Sequence, residues 1–352
     1  MSYQNGFAAL NLQMCDKVPR TEYSAGFFWE LIAKVTGKSV SNESTAQEKT
    51  EATRSFIREW DYGFYWNIYA CNNIFDGKYT KMGHAEYETD GVDFSSETGA
   101  LFDDPHDALS TDFYELYGER NQKELVQLFN NDYRQKLEAH PDCVNMTGIY
   151  VTLVSGLLEI LGWDTLLMCA GIDQKAFGEL VNRYAGWIKQ YFEALALSDS
   201  PVVMIHDDIT WTSGAFLHPD FYREFIFPNY KKMFAPLIES GKIILYTSDG
   251  DYTQFIDDIA GCSVNGFVME PVTDMQYIAD KYGKTHSFTG NADTNVLLRG
   301  TKEDIEREVK RCMDIGKKYP GYFMAVGNHI PPNTPVDNAL YYNEMYEKYA
   351  GR

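Results

Sequence analysis

Short apolar runs alternate with amphipathic segments through the C-terminal half of the chain. Five of these runs have the length of a β-strand, and each ends in polar residues: Val202–Ile205, Ile243–Leu245, Gly266–Met269, His286–Thr289 and Tyr322–Val326. Segments with helical periodicity separate the runs. A repeat of strand, polar tip and helix is typical of parallel β/α units. The pattern therefore predicts an α/β fold in which these five strands lie parallel.

The length of the chain favours one closed barrel. Its 352 residues fit a single (β/α)8 TIM barrel with additions. Residues 1–60 have helical patterning around Phe7–Leu12 and Phe27–Val35, and no linker-like composition follows them. We therefore predict one domain over residues 1–352, with residues 1–60 as a helical N-terminal extension beside or over the barrel mouth. In such a barrel, side chains just past the strand ends form the active site.

The sequence between the extension and the first clear strand has mixed patterning. Residues 61–110 are rich in Tyr, Trp, Asn and Gly, and such sequence either fills a core or lines a pocket for a flat substrate. Periodicity predicts helices over Glu115–Ala139 and Phe177–Ala194, and a β-branched stretch predicts a strand within Val144–Val154. Further on, Thr301 is predicted to cap a helix.

Composition excludes several classes of protein. A formal charge of −20 is unsuited to a nucleic-acid backbone, which requires clustered Lys and Arg. Hydrophobic residues make up 44% of the chain, enough for a large core. The six cysteines are scattered without a CxxC pair, which indicates buried thiols in a reducing compartment. We find no signal pattern or spanning apolar run, and we predict a cytoplasmic protein that binds no membrane.

Two of the polar tips each carry a pair of aspartates. His206-Asp207-Asp208 follows the first of the five runs, and strand alternation sends His206 and Asp208 to the same side. Aspartates at a strand end bind a metal, accept a proton or cap the next helix. In Ser248-Asp249-Gly250-Asp251, the glycine permits a tight turn that places Asp249 against a ligand.

The remaining tips supply Glu270, Asn291, Asn328 and His329. Together the tips offer oxygen and nitrogen ligands without cysteine, which suits Zn²⁺. A zinc site built from Asp249, Glu270 and His329, with His206 as a further candidate, is therefore one alternative. The chain has no GxGxxG, Walker loop or G-x-S-x-G motif, which disfavours dinucleotide, nucleotide and serine-hydrolase functions.

The motifs around these tips resemble the uroporphyrinogen decarboxylase superfamily over nearly the whole chain. The matching segments are residues 8–12 leading to 18–19, 207–208 followed by 218–225, 248–251, 269–271, 290–293 and 327–335. The resemblance implies a (β/α)8 barrel and two broad activities. One is decarboxylation of the acetate arms of uroporphyrinogen, and the other is corrinoid-dependent methyl transfer.

Departures from the family patterns separate these activities. The decarboxylase branch holds its many carboxylates with N-terminal arginines, whereas this chain has Arg20 without an arginine-rich loop beside it. Methyltransferases that act on thiols use a zinc site made of a His-x-Cys pair and a later Cys. The corresponding positions here are Tyr246, Ser248 and Asn328, so thiol activation is not expected.

The chain then most resembles the methyltransferase components of anaerobic O-demethylases. This resemblance implies transfer of a methyl group from a small methoxylated aromatic to the Co(I) corrinoid of a partner protein. We predict His329, Tyr246 and Asp249 as catalytic residues that supply a proton or hold a zinc ion. The predicted substrate-binding residues are His206, Asp208, Asn291 and Asn328. The alternatives are a uroporphyrinogen-type decarboxylase and a non-catalytic small-molecule-binding barrel.

Overall fold

The computed structural model describes residues 2–23, 25, 28–80, 99 and 101–352. Residues 81–98, part of the stretch predicted to line a pocket, lie outside the described residues. The helices are Ser2–Leu10 (α1), Trp29–Thr36 (α2), Ala46–Glu59 (α3), Pro105–Leu109 (α4), Phe113–Tyr117 (α5), Gln122–Ala139 (α6), Val154–Ile172 (α7), Gln174–Ala196 (α8), Pro219–Phe221 (α9), Phe227–Glu239 (α10), Ile256–Ala260 (α11), Met275–Tyr282 (α12), Thr294–Arg299 (α13), Lys302–Gly316 (α14) and Val336–Tyr349 (α15). The strands are Phe64–Tyr65 (β1), Val144–Asn145 (β2), Thr147–Ile149 (β3), Val202–His206 (β4), Thr210–Trp211 (β5), Gly214–Ala215 (β6), Ile243–Ser248 (β7), Gly266–Met269 (β8), Ser287–Thr289 (β9) and Tyr322–Phe323 (β10).

A ring of parallel pairings confirms the predicted barrel. Six strands pair in the order β10-β9-β8-β7-β4-β3, and the five predicted strands are β4 and β7 to β10. β1 pairs in parallel with β2, and Ala70 pairs in parallel with Ile149. Arg20 closes the ring, because its backbone forms parallel bridges with Tyr62 on one side and Met324 on the other. The chain is therefore a (β/α)8 barrel whose first wall segment lies around Arg20.

The first helix packs at the end of the barrel opposite the polar tips. α1 contacts the starts of β1 and β2, and Gly6 lies so close to Gly63 that a Cβ would meet the Gly63 carbonyl oxygen at 1.9 Å. Ala9 and Leu10 join the apolar cluster inside the barrel. Residues 1–60 were predicted as a helical extension beside or over the mouth. They form the floor helix α1, one wall segment around Arg20, and the helices α2 and α3.

A buried ion pair lies within the first wall segment, and its arginine packs against the last helix. The Arg20 guanidinium donates to Glu22 Oε1 at 2.6 Å, and neither side chain is exposed to solvent. Arg20 also lies over the rings of Trp60 and Tyr346, at 4.2 and 4.7 Å. Glu22 Oε2 accepts from the backbone N–H of Val326 at 3.0 Å. These contacts hold the two ends of the barrel wall together.

Helix boundaries differ from the prediction where a glycine or a cap intervenes. The helix predicted over Glu115–Ala139 is two helices, because Gly118 has φ 75° and ends α5. Asn121 then caps α6 by accepting from two backbone N–H groups. The strand predicted within Val144–Val154 ends at Ile149. The predicted cap is confirmed, since Thr301 forms a capping box with Asp304.

Among the described helices, α7 is long and apolar enough to cross a membrane, judged by its length and composition alone. In this structure 61% of its most apolar window is buried inside the protein, and it packs against α4 and α8. Gly162 has φ 72° and kinks the helix. A buried core helix meets the same criteria, so α7 gives no evidence for a membrane segment. The predicted cytoplasmic location stays a prediction.

Candidate active site

A cavity of about 720 Å³ opens at the carboxyl ends of the barrel strands. Its floor includes Met204 and Val268, which belong to the apolar cluster inside the barrel. Aromatic rings form much of its wall. Tyr23 packs edge-on against Trp66 at 4.9 Å, and Tyr150 stacks on His206 at 4.0 Å. The cavity therefore offers flat apolar surfaces and polar groups from several strand tips.

The tip of β7 turns tightly between two carboxylates. The Asp249 backbone N–H donates to Asp208 Oδ1 at 2.8 Å, and the Gly250 N–H donates to Glu270 Oε2 at 2.7 Å. Gly250 has φ 78°, and a Cβ there would lie 2.6 Å from the Thr210 carbonyl oxygen. Only glycine suits this position. The turn predicted from the sequence is present, and it brings Asp249 to the cavity.

The surroundings of Asp249 favour its protonated form. Burial in the barrel mouth and the negative charges of Asp208 and Glu270 raise the pKa of Asp249 to about 8. His206 and a hydrogen bond from Asn328 oppose this shift but do not cancel it. At neutral pH the Asp249 side chain is therefore mostly a carboxylic acid that can donate a proton.

Asn328 and His329 follow the last strand and line the same cavity. The Asn328 side-chain amide donates to Glu270 Oε1 at 2.6 Å. The side-chain oxygen of Asn328, Oδ1, accepts from the His329 backbone N–H at 2.8 Å. Asn328 thus positions Glu270. Burial lowers the pKa of His329 to about 4, so its imidazole is neutral at neutral pH.

Three side chains lie close enough to share a cation. His206 Nε2 is 3.2 Å from Asp208 Oδ1, as strand alternation predicted. One ligand atom each from His206, Asp208 and Asp249 lies within 4.8 Å of the other two. The metal set predicted from the sequence was Glu270, Asp249 and His329. Among the described residues, the structure keeps Asp249 in such a group and joins it to His206 and Asp208 instead.

Asp207 has a structural role distinct from that of its neighbour. Its carboxylate accepts from the backbone N–H groups of Leu153, Val154 and Ser155 at 3.2, 3.1 and 2.7 Å. The Tyr230 hydroxyl donates to it as well. Asp207 therefore caps the start of α7, which leaves Asp208 as the residue that faces Asp249.

We expect Asp207→Asn to lower the free energy of unfolding by about 1–3 kcal/mol. An asparagine has one acceptor oxygen, and its amide N–H₂ would face backbone donors. Urea denaturation measures this loss. Asp208→Asn serves as the matched variant, because it removes a charge from the carboxylate cluster and leaves the helix cap intact. Equal stability of the wild type and Asp207→Asn would contradict the capping role.

Three predicted site residues do not line the cavity: Asp208, Tyr246 and Asn291. Asp208 instead accepts from the Asp249 backbone N–H. Tyr246 lies on the outer face of β7, where its hydroxyl is 3.4 Å from that of Tyr230 and 3.3 Å from the Asp207 carbonyl oxygen. Side chains alternate along a strand, so Thr247 points inward in its place. Asn291 is buried, donates to the carbonyls of Glu270 and Thr273, and accepts from Arg311. Tyr246 and Asn291 therefore support the barrel wall.

The sequence interpretation missed two hydroxyl groups at the cavity. Tyr23 Oη and Thr247 Oγ1 are buried in the structure and have no hydrogen-bond partner in it. Continuing the alternation of β7 one residue beyond Tyr246 would have identified Thr247. No sequence pattern marked Tyr23, because its wall segment pairs through single bridges rather than a regular ladder.

Sequence comparison identifies the family. The family model described as Uroporphyrinogen decarboxylase (URO-D) matches residues 144–349, more than half of the chain. The chain belongs to the uroporphyrinogen decarboxylase family. This membership confirms the resemblance drawn from the strand-tip motifs. The match also contains the tips that supply His206, Asp249, Glu270 and His329.

Relatives in this family carry the decarboxylase name. The chain is 26% identical over 221 residues to the uroporphyrinogen decarboxylase of Carboxydothermus hydrogenoformans. The matched region covers 60% of each protein. It is 24% identical over 212 residues to that of Syntrophotalea carbinolica, covering 59% of this chain and 60% of the relative. The chain thus spans about 60% of the length of these curated relatives.

The structure is similar to a methyltransferase from Methanosarcina mazei. The TM-score is 0.66, the sequence identity is 16%, and the match covers 99% of this chain and 98% of the other. At this identity the likeness shows a shared fold. A methyltransferase thus provides a full-length fold match, while uroporphyrinogen decarboxylases provide partial sequence matches.

Proposed function

We propose that this protein transfers a methyl group from a methoxylated aromatic compound to the Co(I) corrinoid of a partner protein. The observation that carries the proposal is a cavity that combines aromatic walls with a carboxylic acid protonated at neutral pH. Tyr23, Trp66 and Tyr150 suit a flat ring. Asp249 suits a leaving group that needs a proton.

The position of Arg20 argues against decarboxylation of uroporphyrinogen. The resemblance implies that decarboxylases hold the substrate carboxylates with N-terminal arginines. Here the Arg20 guanidinium is buried against Glu22 in the barrel wall and does not line the cavity. Among the described residues, no Lys or Arg side chain lines the cavity, and Asp249 and Glu270 do. A polyanionic substrate would be repelled.

In the proposed reaction, the bond between the methyl carbon and the ether oxygen breaks. The electron pair of Co(I) attacks the methyl carbon, and the electrons of the broken bond remain on the oxygen. Asp249 gives its proton to that oxygen, so the product leaves as a phenol. The Asp249 carboxylate regains a proton from solvent through the open mouth. The ether methyl must face that mouth, because a corrinoid on another protein approaches from there.

Neighbouring residues support this proton donor. Burial, together with the charges of Asp208 and Glu270, raises the pKa of Asp249 and keeps the acid protonated, and Asn328 holds Glu270 in place. His329 is neutral at neutral pH, so we assign it a hydrogen bond to the substrate rather than proton donation. Tyr246 has no part in the chemistry because it lies outside the cavity.

A zinc ion is the alternative to proton donation. The nitrogen of His206 and the carboxylates of Asp208 and Asp249 form a donor set that fits Zn²⁺. When bound, the ion would polarise the ether oxygen as a Lewis acid. The metal content of the purified protein, and methyl transfer after treatment with a chelator, distinguish the two. Proton donation by Asp249 predicts activity that survives metal removal.

The pH dependence of the rate tests the acid role. Since the pKa of Asp249 is about 8, the acid form is present below that pH and is lost above it. We expect the single-turnover rate to be level on the acid side of pH 8. On the alkaline side it should fall about tenfold for each pH unit. A rate that instead rises through pH 8 would show that the carboxylate form is the active one.

Spectroscopy tests the proposed function. The protein is mixed with a reduced corrinoid protein, or with cob(I)alamin, and a panel of methoxylated aromatics, and formation of methyl-Co(III) is followed. Uroporphyrinogen is supplied in parallel and CO2 release is measured. Methyl-Co(III) formed only in the presence of the protein supports methyl transfer. CO2 release alone would establish the decarboxylase, and ligand-induced thermal stabilisation without turnover would indicate a binding protein.

A further inference from the structure

The charge around the cavity restricts which methoxylated aromatic can enter. Asp249 and Glu270 line its polar end, and a carboxylate oxygen of Asp208 lies within 4.8 Å of one of Asp249. No described Lys or Arg side chain lines the cavity. His329 is neutral at neutral pH, and His206 faces Asp208. A negatively charged ring substituent finds no cationic partner among these groups.

Two residues that line the same cavity carry hydroxyl groups without a hydrogen-bond partner. Tyr23 and Thr247 line the cavity, and their hydroxyl oxygens make no hydrogen bond within the protein. A buried hydroxyl without a partner is unfavourable, so a ligand that pairs with it gains affinity. Each can donate to or accept from a neutral hydroxyl substituent. Asp249 and Glu270 can accept from such a substituent as well.

Resting on the proposed function, we infer that the methyl donor is an uncharged methoxyphenol and that methoxylated benzoates are excluded. A ring hydroxyl pairs with Tyr23 or Thr247 and with a carboxylate of the site. A ring carboxylate loses its hydration and meets like charge. The site therefore recognises the ring by hydrogen bonds to a neutral hydroxyl, and it discriminates against substrates by charge.

Calorimetry of ligand binding, without any corrinoid, tests this inference separately from the proposed function. The ligands are 2-methoxyphenol, its ring-carboxylated analogue 4-hydroxy-3-methoxybenzoate, and methoxybenzene. We expect the benzoate to bind about 100-fold more weakly than 2-methoxyphenol, from like-charge repulsion at short range. Methoxybenzene should bind about tenfold more weakly, because it lacks the hydroxyl group.

Two variants assign the discrimination to named groups. Glu270→Gln should narrow the gap between the benzoate and 2-methoxyphenol about tenfold, because it removes one of the facing charges. Tyr23→Phe should weaken binding of 2-methoxyphenol but not of methoxybenzene. Asp293→Asn is the matched charge control: Asp293 follows β9 outside the cavity and caps α13, a role that asparagine retains.

The outcomes separate the two proposals. Selective binding of 2-methoxyphenol without methyl transfer would sustain the inferred preference for a neutral hydroxyl group and overturn the proposed function. Methyl transfer at equal rates from 4-hydroxy-3-methoxybenzoate and from 2-methoxyphenol would sustain the proposed function and overturn the inference. Equal effects of Glu270→Gln and Asp293→Asn on benzoate binding would also overturn it, because net charge rather than the cavity would then be responsible.

Discussion

Asp249→Asn is expected to lower the rate of methyl transfer by about 100- to 10,000-fold, the range for loss of a positioned proton donor. The asparagine amide has no proton of suitable acidity for the departing oxygen. Its size matches that of aspartate, and the backbone N–H that donates to Asp208 is unaffected. The variant also removes the carboxyl group that Asp208 and Glu270 repel when it ionises, so the fold should not suffer. The single-turnover rate with a saturating methoxylated aromatic is the measurement.

A control two residues along the chain separates chemistry from folding. Asp251 accepts from the backbone N–H of Thr253 at 2.9 Å and does not line the cavity. Asp251→Asn keeps that acceptor and makes the same change of side chain outside the cavity. We expect its rate to stay within about threefold of the wild type, as for a surface charge change. A similar, small effect for Asp249→Asn would remove Asp249 from the mechanism.

Arg20→Met is expected to cost about 3–5 kcal/mol of stability, because it leaves Glu22 buried without its partner. Arg20 is enclosed by Glu22 and the rings of Trp60 and Tyr346, and it is wholly buried. Its segment closes the barrel between Tyr62 and Met324. Guanidinium chloride denaturation, read by tryptophan fluorescence and by circular dichroism, measures the loss.

A nearby surface pair provides the control for Arg20. Lys17 donates to Glu347 at 2.8 Å, and both side chains are partly exposed. We expect Lys17→Met to cost less than about 1 kcal/mol. Combining Arg20→Met with Glu22→Gln should recover part of the loss, since the uncompensated charge is then gone. Equal losses for Lys17→Met and Arg20→Met would show that the buried pair is not what holds the barrel closed.

The strands that could be predicted from sequence are those with long apolar runs. β4 and β7 to β10 satisfy that condition. Three residues predicted at the ends of these strands, Asp249, Glu270 and His329, line the cavity in the structure. The segments around Arg20 and Ala70 escaped prediction because they pair through isolated bridges. Barrel closure therefore depends on long-range contacts that no local pattern records.

The errors in the predicted site have physical causes. β7 runs to Ser248, beyond the predicted Ile243–Leu245, so the alternation that sends Tyr246 outward was not followed to its end. Asn291 follows a strand but turns to backbone carbonyls instead of the cavity. The aromatic wall formed by Tyr23, Trp66 and Tyr150 comes from three separate segments, and only the folded barrel brings these together.

One single-turnover measurement tests the central claim most directly. The methyl group of a methoxyphenol is labelled with ¹³C, and the labelled compound is mixed with the protein and a reduced corrinoid protein. Product phenol and cobalt-bound methyl are then followed by NMR. Methyl transfer predicts that phenol and labelled cobalt-methyl appear together in equal amounts, and that Asp249→Asn slows both. Phenol formed without label on cobalt, or no phenol with a competent corrinoid partner, would contradict the account.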